Sequence, residues 1–237
     1  MHFGGLSLHH IDERNLLHVF ILGCYPYDES DQKAPTTRAF VENILNDYGL
    51  KLDNDKYVMS DNENKMKCAF NSNCKRIGCS AHYLNKQLEH AFTSDTIDKQ
   101  SVDCDEVQAL FKLVKSLVTH IRRSHKQLKL SRKLQTYSET RFNGAFYMLN
   151  VFLAVFDELI TVIGSAHLAD YLNIDKGLLQ QVCDFLRPFN EVIERLSDTQ
   201  RPTLHRVLPF RQYLMKLCEV IGDEVTGIQQ LKKFLGK

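Results

Sequence analysis

Polar and apolar positions alternate from Gly5 to Ile11, with Leu6, Leu8 and His10 set against Ser7, His9 and Ile11. After the polar Asp12-Glu13-Arg14-Asn15, the stretch Leu16 to Cys24 predicts the second strand of a β-hairpin. Its centre, Val19-Phe20-Ile21-Leu22, is apolar on both faces and reads as central in a sheet. Thr36 or Thr37 is placed to cap a helix carrying Phe40, Val41, Ile44, Leu45 and Tyr48 and stopped by Gly49. Tyr57-Val58-Met59 predicts a short buried strand closed by Ser60-Asp61-Asn62, and a helical pattern begins at Glu63 and runs through Met66 and Phe70. A strand over Arg76-Ile77-Gly78-Cys79 and a helix from Ala81 to Phe92 follow. This order implies an antiparallel hairpin plus parallel βαβ units, a mixed sheet covered by helices.

From residue 105 onward the pattern is helical only. Leu110, Val114, Leu117 and Ile121 make one apolar stripe at helical spacing, on a helix expected to continue as a basic segment from Phe111 to Leu134. Glu139 to Ile163 carries a wide apolar face (Phe146, Leu149, Phe152, Leu153, Phe156, Leu159, Ile160, Ile163), of which the phenylalanines read as core. Ile174 to Leu196 and Thr203 to Ile221 are amphipathic and punctuated by Pro188, Pro202 and Pro209. Gly227 to Lys237 reads as a helical stub without an evident docking face, and the hairpin lacks a partner strand. The expectation is therefore a fragment of a longer protein, or a gene product that has lost its flanks.

With 237 residues, 43% of them hydrophobic, the chain can bury a sizeable core. No window approaches the roughly 18 to 20 consecutive apolar residues of a membrane span, so a membrane is not an expected partner. The seven cysteines are odd in number and scattered, which predicts reduced thiols. Cys74, Cys79 and His82 are the nearest approach to a zinc set but lack the fourth ligand and the paired spacing of a structural site. A net charge of +1 conceals a strong asymmetry. Between Val107 and Ser138 there is no acidic residue, while Lys112, Lys115, Arg122, Arg123, Lys126, Lys129, Arg132 and Lys133 all fall there. Such a run is commonly a solvated face, but eight cations without one compensating acid suit a polyanion.

Five stretches, in order, resemble motifs of the hAT superfamily of cut-and-paste DNA transposases. Gly5-Leu6-Ser7-Leu8-His9-His10 through Phe20-Ile21-Leu22-Gly23 resembles the family's second and third core strands. Val58-Met59-Ser60-Asp61-Asn62-Glu63-Asn64 is similar to its (V/T)TDxxxN segment, and Cys79-Ser80-Ala81-His82-Tyr83-Leu84-Asn85 matches CxxHxLN. Thr140-Arg141-Phe142-Asn143-Gly144, with Met148-Leu149, resembles TRWNSxxxML. Arg201-Pro202-Thr203-Leu204 with Val207-Leu208-Pro209 is similar to PTLxxVLP of the helical insertion domain.

The resemblance implies an α/β (α+β) chain: an RNase H-like mixed sheet lacking its first strand, followed by an all-helical insertion domain. The expected divisions are 1–104 (partial core), 105–145 (basic helix and the RW-like segment) and 146–237 (partial insertion domain). The family activity is metal-dependent DNA strand transfer, in which two Asp and one Glu hold two Mg2+ or Mn2+ ions that stabilise the attacking and leaving oxygens. Asp61 stands at the second Asp of that set and is the candidate metal-binding residue, and Asp61 and His82 are the candidate catalytic residues, His82 to contact DNA or tune a carboxylate. His82, with Cys79 the motif pair, is placed beside the active site. The family's first acid precedes the segment matched at Gly5 and the third lies beyond the insertion domain, so this polypeptide alone is expected not to cleave DNA. Apart from the resemblance, Asp61 reads as a helix cap, Cys79 as a small buried apolar residue and His82 as a hydrogen-bonded or exposed histidine.

The implied partner is DNA, as transposon ends or non-specific duplex, bound through the eight cations with Arg141 and Phe142. Phe142 replaces the family's tryptophan and keeps a smaller π face. A homo-oligomer is a candidate assembly, no small-molecule substrate is implied, and the nucleus is the implied location. The alternative is a domesticated transposase-derived nuclear module that binds DNA or protein without enzymatic activity.

Overall fold

A computed structural model describes residues 2–29, 31–139 and 142–237. The chain divides into two compact units, Met1–Tyr83 with Asp198–Pro202, and Leu84–Ser197 with Thr203–Lys237.

In the first unit, β1 (His2–Ile11) and β2 (Leu17–Tyr27) pair antiparallel with a register shift between Leu6 and Ser7. The hairpin is where the alternation placed it, but β2 is not central. Val19, Phe20 and Ile21 are 41, 51 and 82% exposed and Leu22 is buried, because among the described residues β2 pairs with β1 alone. Helix α1 (Ala34–Asp47) starts from Lys33 with Pro35 in its first turn, so neither Thr36 nor Thr37 is the cap. Thr36 instead donates to Asp31 at 2.7 Å. Gly49, at φ +67°, takes the left-handed turn that ends the helix.

The next three elements form the parallel βαβ unit read from the sequence. Strand β3 (Tyr57–Ser60) pairs in parallel with β4 (Lys75–Gly78), from Tyr57 opposite Lys75 to Ser60 opposite Gly78, and α2 (Asn64–Ala69) lies between them in sequence. The expectation of a buried β3 fails: Tyr57 and Met59 are 65 and 60% exposed and only Ser60 is buried. A two-stranded ladder has no sheet neighbour to cover those side chains. Arg38 of α1 ties the unit together, pairing with Glu42 and donating to the carbonyls of Ala69 and Ser72 at 3.3 and 3.0 Å.

Helix α3 (Ser80–Thr93) leads to a tight hairpin of β5 (Thr96–Ile97) and β6 (Gln100–Ser101). Its turn residues Asp98 and Lys99 both have positive φ, as a type I′ turn requires. Among the described residues the strands form three separate two-stranded sheets rather than one mixed sheet.

The second unit holds most of the core. Helix α4 (Asp105–Arg122) is its spine: Val107, Val114, Leu117, Val118 and Ile121 are fully buried, and α5 (Gly144–Ala154), α6 (Ser165–Leu172) and α9 (Thr226–Leu235) pack on it. The basic segment does not continue as helix to Leu134. Ser124 turns to extended backbone and its hydroxyl accepts from Lys126 N–H, which starts a 3-10 turn over His125–Lys129. The Glu139–Ile163 stretch is likewise divided into α5 and a 3-10 helix, Phe156–Thr161. Phe146, Phe152 and Phe156 are buried as expected, whereas Ile160 is 54% exposed.

Helix α7 (Lys176–Leu196) occupies the amphipathic segment read from the sequence and runs through Pro188, with Leu186, Phe189, Val192 and Ile193 buried around it. A 3-10 turn (Leu204–Arg206) leads into α8 (Val207–Leu217). The C-terminal segment does have a docking face: α9 buries Ile228 and Leu231 and packs on α4 and α7. Lys232, also buried, pairs with Glu224 and donates to the Glu219 carbonyl at 3.0 Å.

Leu117→Ala is expected to lower unfolding free energy by about 2–5 kcal/mol, a large-to-small change in a closed core. Lys112→Ala, on the exposed face of the same helix, should stay within about 0.5 kcal/mol. Urea denaturation of both variants checks the pair.

Candidate functional site

Parallel pairing brings the ends of β3 and β4 to one edge, and each end carries one of the motifs. Cys79 N–H donates to the Ser60 carbonyl at 2.8 Å and Asn62 Nδ2 to the Cys79 carbonyl at 3.0 Å, so the two turns are stitched together. A Cβ on Gly78 would collide with Asn62 Oδ1, so the close approach needs glycine there. Arg76 lies across the same end, its Nε donating to Ser60 Oγ at 2.9 Å and a terminal nitrogen to the Asp61 carbonyl.

Asp61 directly follows β3, and its Oδ1 accepts from Glu63 N–H at 3.1 Å. Glu63, not Asp61, is the N-cap of α2, so the carboxylate closes an Asx turn before the helix instead of capping it. Cys79 precedes the first helical residue of α3, and its Sγ accepts from His82 N–H at 3.5 Å. The CxxH spacing thus corresponds to a thiol cap and the third residue of the helix it caps. Cys79 and His82 are both half-buried.

The donor set here does not fit a divalent pair. Among the described residues no group of three or more His, Cys, Asp and Glu side chains could hold a metal ion. Arg76 moreover fixes a cation on the backbone of the one candidate ligand. Hard cations need several converging oxygens, and one carboxylate already engaged in a turn does not supply them.

The second unit presents the cations. Lys112, Lys115, Arg123, Lys126, Lys129, Arg132 and Lys133 are exposed and Arg122 is half-buried. Two of the eight also have structural work: Arg122 donates to the Leu134 carbonyl at 2.6 Å, and the Lys115 ammonium lies 5.0 Å from the centre of the Tyr137 ring. The segment after the 3-10 turn is irregular but pinned. Leu130 and Leu134 are buried, and Ser131 N–H donates to Glu158 at 2.7 Å. Tyr137 meets Phe111 edge to face with centroids 5.1 Å apart. Arg132 and Lys133 are held outward between these anchors. Arg122, Lys133, Thr136, Phe142 and Tyr147 line an open groove, in which Phe142 is 37% exposed. Arg141 and Thr140 lie outside the described residues.

Sequence reasoning singled out neither Asn85 nor Asn143, although both stand in motif stretches. Asn143 N–H donates to Asn85 Oδ1 at 2.8 Å in a buried contact. Asn143 Oδ1 and the Tyr137 hydroxyl are buried with no hydrogen-bond partner among the described residues, and both residues line one small cavity. Burial, aided by Glu89 and Glu139, holds the Tyr137 phenol well above its ordinary range.

No family model matches the chain. It is similar to the Hobo transposable-element transposase of Drosophila melanogaster, at 25% identity over 232 residues, which cover 98% of this chain and 34% of that protein. The chain thus spans about a third of the length of the curated relative it matches. The likeness along nearly the whole chain supports the relationship to hAT-type transposases carried by the motifs. No helix among the described residues is long and apolar enough to cross a membrane.

Beside the basic segment, the rings of His120 on α4 and His167 on α6 lie 4.0 Å apart, and His167 Nδ1 is 3.4 Å from Asp170. Burial, then His167 and Lys126, hold His120 below the ordinary histidine value. A folded-state value below the unfolded one means that His120 favours folding fully above the unfolded value of about 6.5 and loses this as pH falls through the folded one. Urea midpoints at pH 7.5 and 5.5 should therefore differ more for the unsubstituted chain than for His120→Asn.

Proposed function

We propose that this chain is a transposase-derived DNA-binding polypeptide that contacts the phosphate backbone through its second unit and does not by itself cut DNA. The observation that carries the reading is the acid-free run from Val107 to Ser138. Lys112 and Lys115 face solvent because the opposite face of α4 is committed to the core, and Arg132 and Lys133 are exposed on either side of the buried Leu130 and Leu134. Likeness to a transposase favours DNA over other polyanions as the partner. Binding of this kind draws its free energy from counterion release and reads little sequence. Phe142, beside Arg122 and Lys133, offers a ring for stacking at the edge of the same surface.

In this reading β3, α2 and β4 are part of an RNase H-like core, with Asp61 at the strand end where such a core holds an acid. Mg2+ or Mn2+ is not held productively by this chain, since among the described residues no further acids are gathered with Asp61 to complete the set. His82, at the neighbouring turn, is assigned to the surroundings of that carboxylate. The solitary acid favours a binding role for this chain over that of a self-sufficient nuclease, and likeness to a transposase favours the nucleus as its location.

A fluorescent duplex of about 20 base pairs should bind at low ionic strength, with log Kd rising by about 0.9 per contacted phosphate for each decade of salt. Lys126→Glu with Lys129→Glu should weaken binding about tenfold or more and flatten that slope by about 2. These two residues are cleaner probes than Arg122, whose guanidinium also holds Leu134. Absence of salt-dependent binding at low ionic strength sinks the DNA reading. Manganese-dependent nicking by the purified chain, abolished in Asp61→Ala, would overturn the assignment of inactivity.

A further inference from the structure

Asn85 interrupts the buried stripe of α3. Ala81, Leu88 and Phe92, at helical spacing on either side of it, are 3, 6 and 1% exposed, and Asn85 itself is 7% exposed. A carboxamide in such a position needs a polar partner, and its Oδ1 has one in Asn143 N–H, 58 residues away in sequence. Asn143 is the N-cap of α5, so its N–H has no acceptor within that helix. It is itself only 5% exposed and holds a left-handed backbone, φ +59° and ψ +20°, which asparagine tolerates better than other side-chain-bearing residues. The following Gly144 is also constrained: a Cβ there would lie 2.5 Å from the Ser138 carbonyl oxygen. The start of α5 is therefore closed down on the end of the basic segment, and Asn85 is the side chain that reaches from α3 to fasten it.

We infer that Asn85 is a positioning residue for nucleic-acid binding: through Asn143 it fixes the Phe142 end of the groove and, with Leu134 and Tyr137, the exposure of Arg132 and Lys133. The inference rests on the DNA reading above and deepens it. Asn85 touches no ligand; its effect passes through the backbone of Asn143. The CxxHxLN and TRFNG stretches are then linked by one hydrogen bond, with the last residue of the first holding the fourth of the second.

The test compares Asn85→Leu, close in size but without an acceptor, with Asn85→Asp, which keeps an oxygen for the Asn143 N–H. Asn85→Leu is expected to speed native-state trypsin cleavage after Arg132 and Lys133 and weaken duplex binding, each by about tenfold, as for loss of one buried hydrogen-bond partner. Its salt slope should fall by about 1 or 2 as the contacts of the released segment are lost. Asn85→Asp should restore both readouts to within about threefold of the unsubstituted chain, which a general loss of packing does not predict. Hydrogen exchange in the unsubstituted chain stands whether or not the variants fold: the Asn143 amide should be protected, and exchange at the rate of a free amide overturns the inference. Equal duplex affinity and salt slope for the unsubstituted chain and Asn85→Leu overturns the Asn85 role alone. Failure of the unsubstituted chain to bind duplex overturns the DNA reading and this role with it.

Discussion

Burial of one face of α4 is the constraint on which the second unit depends. Val107, Val114, Leu117, Val118 and Ile121 are shielded from water by three other helices. At about 25 cal/mol per Å2 of apolar surface, burying such a stripe is a large favourable contribution. The same commitment decides what the opposite face can be. Lysines at 112 and 115 cannot turn inward, and with no acid from Val107 to Ser138 their field is not cancelled along the chain. Core and charge are thus two sides of one periodic pattern.

That pattern explains why the second unit was the more legible. Leu110, Val114, Leu117 and Ile121 located α4, and the phenylalanines at 146, 152 and 156 went to the core as their spacing required. Boundaries were less visible. Ser124 ends one helical run and caps the next turn, a local hydrogen-bond choice that hydrophobic spacing does not record. Pro188 did not hide α7: the amphipathic pattern from Ile174 to Leu196 ran through it, and burial of its neighbours outweighs one missing backbone donor. The docking of α9 escaped notice since Ile228 and Leu231 are too few to announce a face without their partners.

In the first unit, strand identity was readable and strand environment was not. Val19-Phe20-Ile21 and Tyr57-Val58-Met59 are extended, yet they pair in two-stranded ladders and remain open to solvent. Apolar content specifies a preference for burial, whereas coverage depends on what other segments bring. The site was legible to a similar degree. Asp61 and Cys79 could be placed at strand ends from the turn residues around them, but Arg76 crossing that edge and the Asn85–Asn143 bond arise from folding alone.

The parallel sense of β3 and β4 has one further implication, for how sequence change is tolerated. The Asp61 and Cys79 turns sit together because both strands finish at the same edge, and the connection through α2 and residues 70–74 only has to return the chain to the opposite edge. Residues could be added to or lost from that return path without separating the turns. A one-residue slip of β4 against β3 would instead displace Gly78 from beneath Asn62 and send every side chain of the strand to the other face. Length variation among descendants of this chain should therefore collect in the crossover and spare the four-residue ladder.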